Sequence, residues 1–253
     1  MGGSLIAQLA EGWVYMVALI FARIGTAALL IPGFGDTHIP PRAKISFGIA
    51  ISIALMPALP MLQVPKDTAV FVLLLALEVL IGVFIGVGAR LFMAAFHILG
   101  AVIGFAAGLS NSLAPYQGSP ESGSTISTLL TFGAVACIFL TNTHHVILTG
   151  LMRSYAILPP GQVMIGDLTE QIVRIGSSAF YIAAAIGAPF FALSLLLNLG
   201  MGLANRVMPA MQVFFVASPG LIIAGFALLS ITVPAILTYQ NEQFAIWFET
   251  LVR

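Results

Sequence analysis

Seven almost continuously apolar runs follow one another along this chain, and they limit what it can fold into. A helix of about 20 apolar residues is long enough to cross the hydrocarbon core of a bilayer. The runs do not alternate between apolar and polar residues, as the strands of a membrane barrel do. We therefore predict an all-α fold, a polytopic membrane-associated helical protein. The candidate spans are Trp13–Ile31, Ile45–Val64, Thr68–Ala89, Leu91–Ala107, Ile126–Leu140, Ile175–Leu199 and Val213–Leu237.

The charge content agrees with a membrane protein. Only 7% of the 253 residues are charged, whereas a soluble domain carries roughly 25%. The mean hydropathy is +1.08. Such a chain cannot cover a water-facing surface, so it must face lipid or other protein at membrane depth. The net charge is zero, and nothing in it favours binding to nucleic acid.

Two features interrupt the runs. Arg90 alone separates the third run from the fourth, so these are either two helices or one long bent helix that does not cross twice. Proline and glycine inside the runs predict kinked helices, with the freed carbonyls satisfied by neighbouring helices. The residues concerned are Pro57, Pro60, Gly187, Pro189, Pro219 and Pro234.

Three ionisable residues lie inside apolar runs, namely Arg23, Glu78 and His97. A charged side chain at the centre of a bilayer costs about 2.5–3.5 kcal/mol on insertion scales. One explanation is a proton or ion relay, which needs several titratable groups in register. The other explanation, which we favour, is that these residues meet a partner subunit or a watery interior.

Glycines at four-residue spacing indicate close helix packing. Gly100, Gly104 and Gly108 form one row, and Gly82 with Gly86 forms another. Glycine at this spacing lets helix backbones approach each other closely in a bilayer, where packing replaces the hydrophobic effect. We predict that both rows lie in helix contacts.

The segment from Gly108 to Ser127 is unlike its surroundings. It is rich in glycine, proline and serine and carries the single charge of Glu121. Irregular backbone that faces lipid leaves peptide groups unsatisfied, at several kcal/mol each. The part from Gly108 to Ser122 must therefore lie in water outside the bilayer or line an aqueous interior.

The sequence contains no constellation that predicts catalysis. A serine protease of the membrane would show Gly-x-Ser-Gly, and Gly108-Leu109-Ser110-Asn111 fails at the fourth position. Adjacent histidines, His144 and His145, diverge by about 100° on a helix and do not form a metal site. We predict that the chain is not an enzyme and binds no metal.

Four blocks along the chain follow a recognisable order and spacing. The first, Phe21–Lys44, carries Arg23, a proline nine residues on, and Ile-Pro-Pro-Arg-Ala-Lys at its end. The second is LEVLIGVFIGVGARL, and the third is THHVILTGLMRSYAILPPG. The fourth ends in a Leu-Gly block with Asn205, Arg206 and Pro209. Together these blocks resemble the FliR family of the flagellar type III export apparatus, and the resemblance covers nearly the full length of the chain.

The resemblance implies a structural role without a cofactor. Members of the family assemble with FliP and FliQ subunits into a helical ring, the pore for exported flagellar proteins, and FlhA and FlhB join them. The implied location is the bacterial inner membrane at the flagellar basal body. Residues 1–170 would be FliP-like and 171–253 a FliQ-like helical hairpin, together one structural unit.

The resemblance also implies roles for particular residues. The loop 108–122 would plug the pore. From their positions in the sequence, we also predict that the charged residues and the Asn-Arg turn contact another subunit or the gate. The plug residues are Gly108, Leu109, Ser110, Asn111, Leu113, Pro115 and Tyr116, and the contact residues are Arg23, Glu78, Asn205, Arg206 and Pro209.

Two other functions remain open from the sequence. The equivalent subunit of a virulence injectisome shares the fold and the blocks. A solute transporter should show an inverted repeat with paired broken helices, and the only echo, Arg23-Ile24-Gly25 and Arg174-Ile175-Gly176, is too short.

Overall fold

The computed structural model of the chain describes residues 12–36, 39–59, 67–106, 125–162, 165–207 and 213–250. Regular structure in these residues is helical, which confirms the all-α prediction. The helices are α1 (Gly12–Leu30), α2 (Pro41–Leu55), α3 (Thr68–Ala106), α4 (Thr125–Leu140), α5 (Thr143–Ile157), α6 (Ile165–Val207) and α7 (Val213–Thr250).

Four of these helices, α1, α3, α6 and α7, contain segments long and apolar enough to cross a membrane. A fifth crossing is added if the bent pair of α4 and α5 counts as one broken span. The described residues therefore form a polytopic helical membrane protein, as predicted. The third and fourth apolar runs belong to one 39-residue helix, α3, so the prediction of one long helix was the right alternative.

The second predicted span, Ile45–Val64, is wrong as a single helix. Pro41 opens α2 at its first position, where its missing N–H costs nothing. The α-helix ends at Leu55, and a 3₁₀ turn follows at Met56–Ala58. Pro57 has no N–H to donate to the carbonyl one turn earlier, so the α-helical bonding stops there and the helix ends rather than kinks. The 15 residues of α2 rise about 22 Å, less than the hydrocarbon core of a typical bilayer.

Three of the prolines predicted to kink helices do lie inside helices. Pro189 is in α6, and Pro219 and Pro234 are in α7. The helical assignment continues through each of them. Pro60 lies outside the described residues.

A tight turn connects α1 to the segment before α2. Gly33 has a φ of +87°, a conformation that glycine adopts at no steric cost, and its N–H donates to Asp36 Oδ2 at 3.2 Å.

The C-terminal end of α1 is capped by Arg90 of α3, whose guanidinium donates to the carbonyl of Leu30 at 3.0 Å. A cation there binds one of the carbonyls that every helix leaves unpaired at its C-terminus.

Packing divides the chain into two compact units. The first consists of the described residues within Met1–Leu91, Asn142–Ile175 and Phe244–Arg253, and the second of those within Phe92–Thr141 and Gly176–Gln243. This division by packing follows different boundaries from the FliP-like and FliQ-like parts. Those parts are defined by family resemblance, and they stay a prediction.

Each unit has its own apolar core. In the first unit, Ile20 and Ile24 of α1 are fully buried, as is Ile81 of α3. In the second unit, Ala95 of α3 packs with Ala179 and Ala183 of α6. The first core also encloses two charged side chains, which define the site described next.

Candidate functional site

Arg23 lies in a π-helical turn of α1, Phe21–Gly25, with α-helix on both sides. The side chain is fully buried, at 0% exposure. A π turn inside an α-helix is rare and frequently marks a functional position. Here it coincides with the one charged residue of α1.

Glu78 of α3 forms a bidentate ion pair with Arg23. Arg23 Nε donates to Glu78 Oε2 at 2.6 Å, and Nη2 donates to Oε1 at 2.9 Å. Both side chains are at 0% exposure. Two parallel N–H···O bonds between a guanidinium and a carboxylate fix the relative orientation of both groups and are stronger than bonds between neutral groups.

The end of α5 supplies the remaining partners of the guanidinium. Nη2 of Arg23 donates to the carbonyl of Leu158 at 2.8 Å, and Nη1 donates to Ser154 Oγ at 3.3 Å. Ser154 in turn donates to the carbonyl of Leu151 at 2.7 Å. The guanidinium also lies 3.9 Å from the centre of the Tyr155 ring, a cation–π contact. One arginine therefore ties together α1, α3 and α5 within the first unit.

This geometry bears on the two explanations for charges at membrane depth. The chain itself supplies the partner of each charge, so neither lipid nor water has to solvate them. Among the described residues, the site consists of one acid and one base beside Tyr155, without the row of titratable groups that a relay needs. His97 is exposed on α3. A subunit contact through Arg23 and Glu78 stays a prediction, which their full burial does not favour.

The row formed by Gly82 and Gly86 lies on the face of α3 that packs against α1. A Cβ atom at Gly82 would overlap the carbonyl of Arg23, and one at Gly86 would overlap the side chain of Leu30. The absence of a side chain is therefore what lets the two helices approach. Gly82 follows Glu78 by one helical turn, so the ion pair and the close approach share one face.

The other glycine row, with Gly100 and Gly104, belongs to the second unit. A Cβ at Gly100 would overlap the backbone of Ser127 at the start of α4. Ser127 Oγ also donates to the carbonyl of His97 at 3.1 Å, so α3 and α4 are bonded where they touch. Gly104 is buried on α3. Gly108 lies outside the described residues.

Replacing Gly100 by leucine is expected to destabilise the protein by about 1–3 kcal/mol, because the new side chain has no space against α4. The control is Gly176→Leu in α6, where a Cβ would have no atom within 4 Å. The midpoint of thermal aggregation in detergent measures the difference. Equal midpoints for the two variants would contradict the packing role of Gly100.

The remaining predicted site residues fall at an exposed helix end or outside the described part. Asn205 and Arg206 are exposed near the C-terminus of α6, where a cation suits the helix dipole. Pro209 lies outside the described residues. The whole set of plug residues does too: Gly108, Leu109, Ser110, Asn111, Leu113, Pro115 and Tyr116.

Among the buried polar residues that sequence reasoning missed, Gln240 has the longest side chain. Gln240 of α7 is 2% exposed, and its Nε2 donates to the carbonyl of Phe92 at 2.8 Å. Both residues belong to the second unit. An amide in a membrane helix needs such a partner because hydrocarbon offers none. The available signal was the polar Gln-Asn-Glu-Gln sequence in an otherwise apolar helix.

The fold and the site together define a class. Long apolar helices, glycine-mediated contacts and a buried ion pair joining three helices are the features of an integral membrane protein built from packed helices. Within the part of the chain that the structure describes, no group of three or more His, Cys, Asp or Glu side chains could hold a metal ion.

Comparison with known proteins identifies the family. Residues 14–246 match the family described as bacterial export proteins, family 1. A flagellar biosynthetic protein FliR of Caulobacter vibrioides is 32% identical over 234 residues, covering 91% of this chain and 93% of the relative. The FliR of Bacillus subtilis is 28% identical (92% of each chain), and that of Escherichia coli K12 is 25% identical (95% and 94%). This chain belongs to the FliR family of bacterial export proteins.

Proposed function

We propose that this protein is a structural pore subunit of flagellar protein export, which assembles with FliP-type and FliQ-type subunits in the bacterial inner membrane. The observation that carries the proposal is the family match over residues 14–246. The relatives compared above carry a flagellar name. This favours the flagellar system over an injectisome. The role is structural rather than enzymatic, and partner proteins FlhA and FlhB join the assembly.

The apolar surface of α6 and α7 supports an assembled rather than an isolated protein. Large apolar side chains of both helices are strongly exposed within this chain. Examples are Tyr181 at 70%, Leu196 at 68%, Val207 at 77%, Ile223 at 69% and Ile231 at 77%. Such a surface needs lipid or other apolar helices around it. The proposal assigns it to lipid and to neighbouring subunits of the ring, with residues 171–253 as the FliQ-like hairpin.

We also propose that the segment between α3 and α4 plugs the pore. Its flanking helices end at Ala106 and begin at Thr125, and both helices are apolar. The intervening sequence has one charge, Glu121, so it can lie in a narrow channel without a large desolvation cost. In this proposal, loop 108–122 closes the resting pore.

The exposed Arg206 provides a test of the gate contact. We expect Arg206→Glu to impair secretion of flagellar proteins without preventing membrane insertion, since it reverses the charge of an exposed side chain and removes no buried contact. Arg206→Lys, which keeps the charge, is the control. Secretion by Arg206→Glu at the level of the lysine variant would show that the charge makes no such contact.

Complementation tests the function itself. Cells lacking this gene should secrete no flagellar hook or filament protein, and the plasmid-borne gene should restore secretion. Normal flagellar secretion in the deletion strain, with a defect in secretion of needle-type substrates instead, would reassign the chain to an injectisome.

A further inference from the structure

We propose that the π-helical turn Phe21–Gly25 is a one-residue insertion in α1 and that Arg23 occupies the extra position. A π turn closes with a bond from residue i to i+5, one residue later than in an α-helix. The backbone is α-helical immediately before the turn, and again from Thr26 to Leu30. The irregularity is thus confined to the turn that carries the buried charge.

The burial pattern of α1 shows the extra residue. In a regular helix the inward face repeats after about seven residues, which is close to two turns. In α1 the fully buried pair Leu19 and Ile20, at 1% and 0% exposure, is repeated by Ala27 and Ala28, at 0% and 7%. The repeat is therefore eight residues, while Thr26, seven residues after Leu19, is only half-buried.

The turn also widens the inward face. Successive residues of an α-helix point about 100° apart, so three in a row do not usually all face the core. Ala22, Arg23 and Ile24 are nevertheless all buried, at 6%, 0% and 0%. The additional residue lets the helix bury Arg23 without turning its apolar neighbours outward.

Neighbouring contacts hold the turn in place. A Cβ at Gly25 would lie 2.7 Å from the ring of Phe21, and one at Gly48 of α2 would lie 3.1 Å from the same ring. The ring of Phe21 therefore occupies the space that two glycines leave open. On the other side, Gly82 of α3 lies against the carbonyl of Arg23, which itself accepts the N–H of Thr26.

A cross-link before the turn reports the orientation of the first half of α1. The rings of Tyr15 in α1 and Phe71 in α3 are in contact, with centroids 4.7 Å apart. Cysteines at these two positions, in a Cys137→Ser background, would be joined by a short bifunctional thiol reagent in native membranes. The full-length chain with this pair should cross-link.

Deleting Arg23 from this reporter, together with Glu78→Leu to avoid an unpaired carboxylate, removes the proposed insertion. The turn should become α-helical, residues before it should keep their orientation, and the cross-link should persist. Deleting both Ala22 and Arg23 in the Glu78→Leu background removes the proposed insertion and one further residue of the helix. It rotates the first half by about 100°, so the cross-link should be lost.

A length-preserving variant, Arg23→Met with Glu78→Leu, controls for loss of the ion pair and should cross-link like the parent. Loss of the cross-link after the single deletion, as after the double deletion, would overturn the proposal. So would failure of the single-deletion protein to accumulate in membranes when the length-preserving variant accumulates normally.

Discussion

Glu78→Leu is expected to unfold or severely destabilise this protein. The substitution leaves the guanidinium of Arg23 buried at 0% exposure without its carboxylate. Removing one partner of a buried ion pair typically costs about 3–5 kcal/mol, because the other charge stays behind uncompensated. We expect little Glu78→Leu protein in the membrane and a much lower midpoint of thermal aggregation for what is recovered in detergent.

The chain offers a matched control for this substitution. Glu170 pairs with Arg174 at 2.6 Å on α6, but these side chains are 65% and 77% exposed. A pair of this kind, four residues apart on a helix surface, contributes only about 0.3–0.5 kcal/mol. Glu170→Leu should therefore behave almost like the parent. If Glu78→Leu is as stable as Glu170→Leu, the buried pair does not hold the three helices together.

Replacing both partners should recover much of the loss. Arg23→Met combined with Glu78→Leu removes both charges, and apolar residues of similar volume often substitute for a buried pair at no net cost. The bonds from Arg23 to Ser154 and Leu158 are lost as well, so recovery should be incomplete. A double variant no more stable than Glu78→Leu would show that the effect of Glu78 is unrelated to Arg23.

Deleting Ser112–Ser119 is expected to make the export pore leak ions. If loop 108–122 closes the resting pore, shortening it by eight residues should open a water path while the complex still assembles. The measurement is uptake of a small dye, or growth in high salt, by cells that express the deleted protein with its partners. A loop that lies outside the pore predicts unchanged permeability.

The control for the deletion is the same protein expressed without FliP-type and FliQ-type partners. In the proposed assembly a single chain forms no pore, so these cells should stay sealed. Unchanged permeability of cells with the full set of partners, once assembly has been confirmed by co-purification, would exclude the plug.

The all-α class was predictable because each continuously apolar run indicates a helix in the membrane without reference to the rest of the chain. Helix ends were harder to predict. The sequence left open whether Arg90 separates two helices or lies within one; arginine is a good helix former, and α3 continues through it. Pro57 had the opposite effect, since a single proline ended α2 nine residues before the apolar run ended. Hydropathy gives the location of a helix, while the backbone chemistry of single residues sets its length.

The ion pair could be found only in part from the sequence. Arg23 and Glu78 each stood out as a charge in an apolar run, but they are 55 positions apart and no local pattern links them. The contributions of Ser154 and the Leu158 carbonyl were not visible, because polar and backbone groups near a helix end are common. The π turn was missed because its register depends on how α1 packs against α2 and α3.

The central claim is that this chain is one subunit of a membrane export pore, and co-purification tests it most directly. The tagged protein, extracted in mild detergent with FliP-type and FliQ-type proteins from the same cells, should elute with both in a single stable complex. Glu170→Leu should elute in the same way, since it leaves the core intact. A well-folded protein that elutes alone, from cells in which both partners are present in the membrane, would contradict the account.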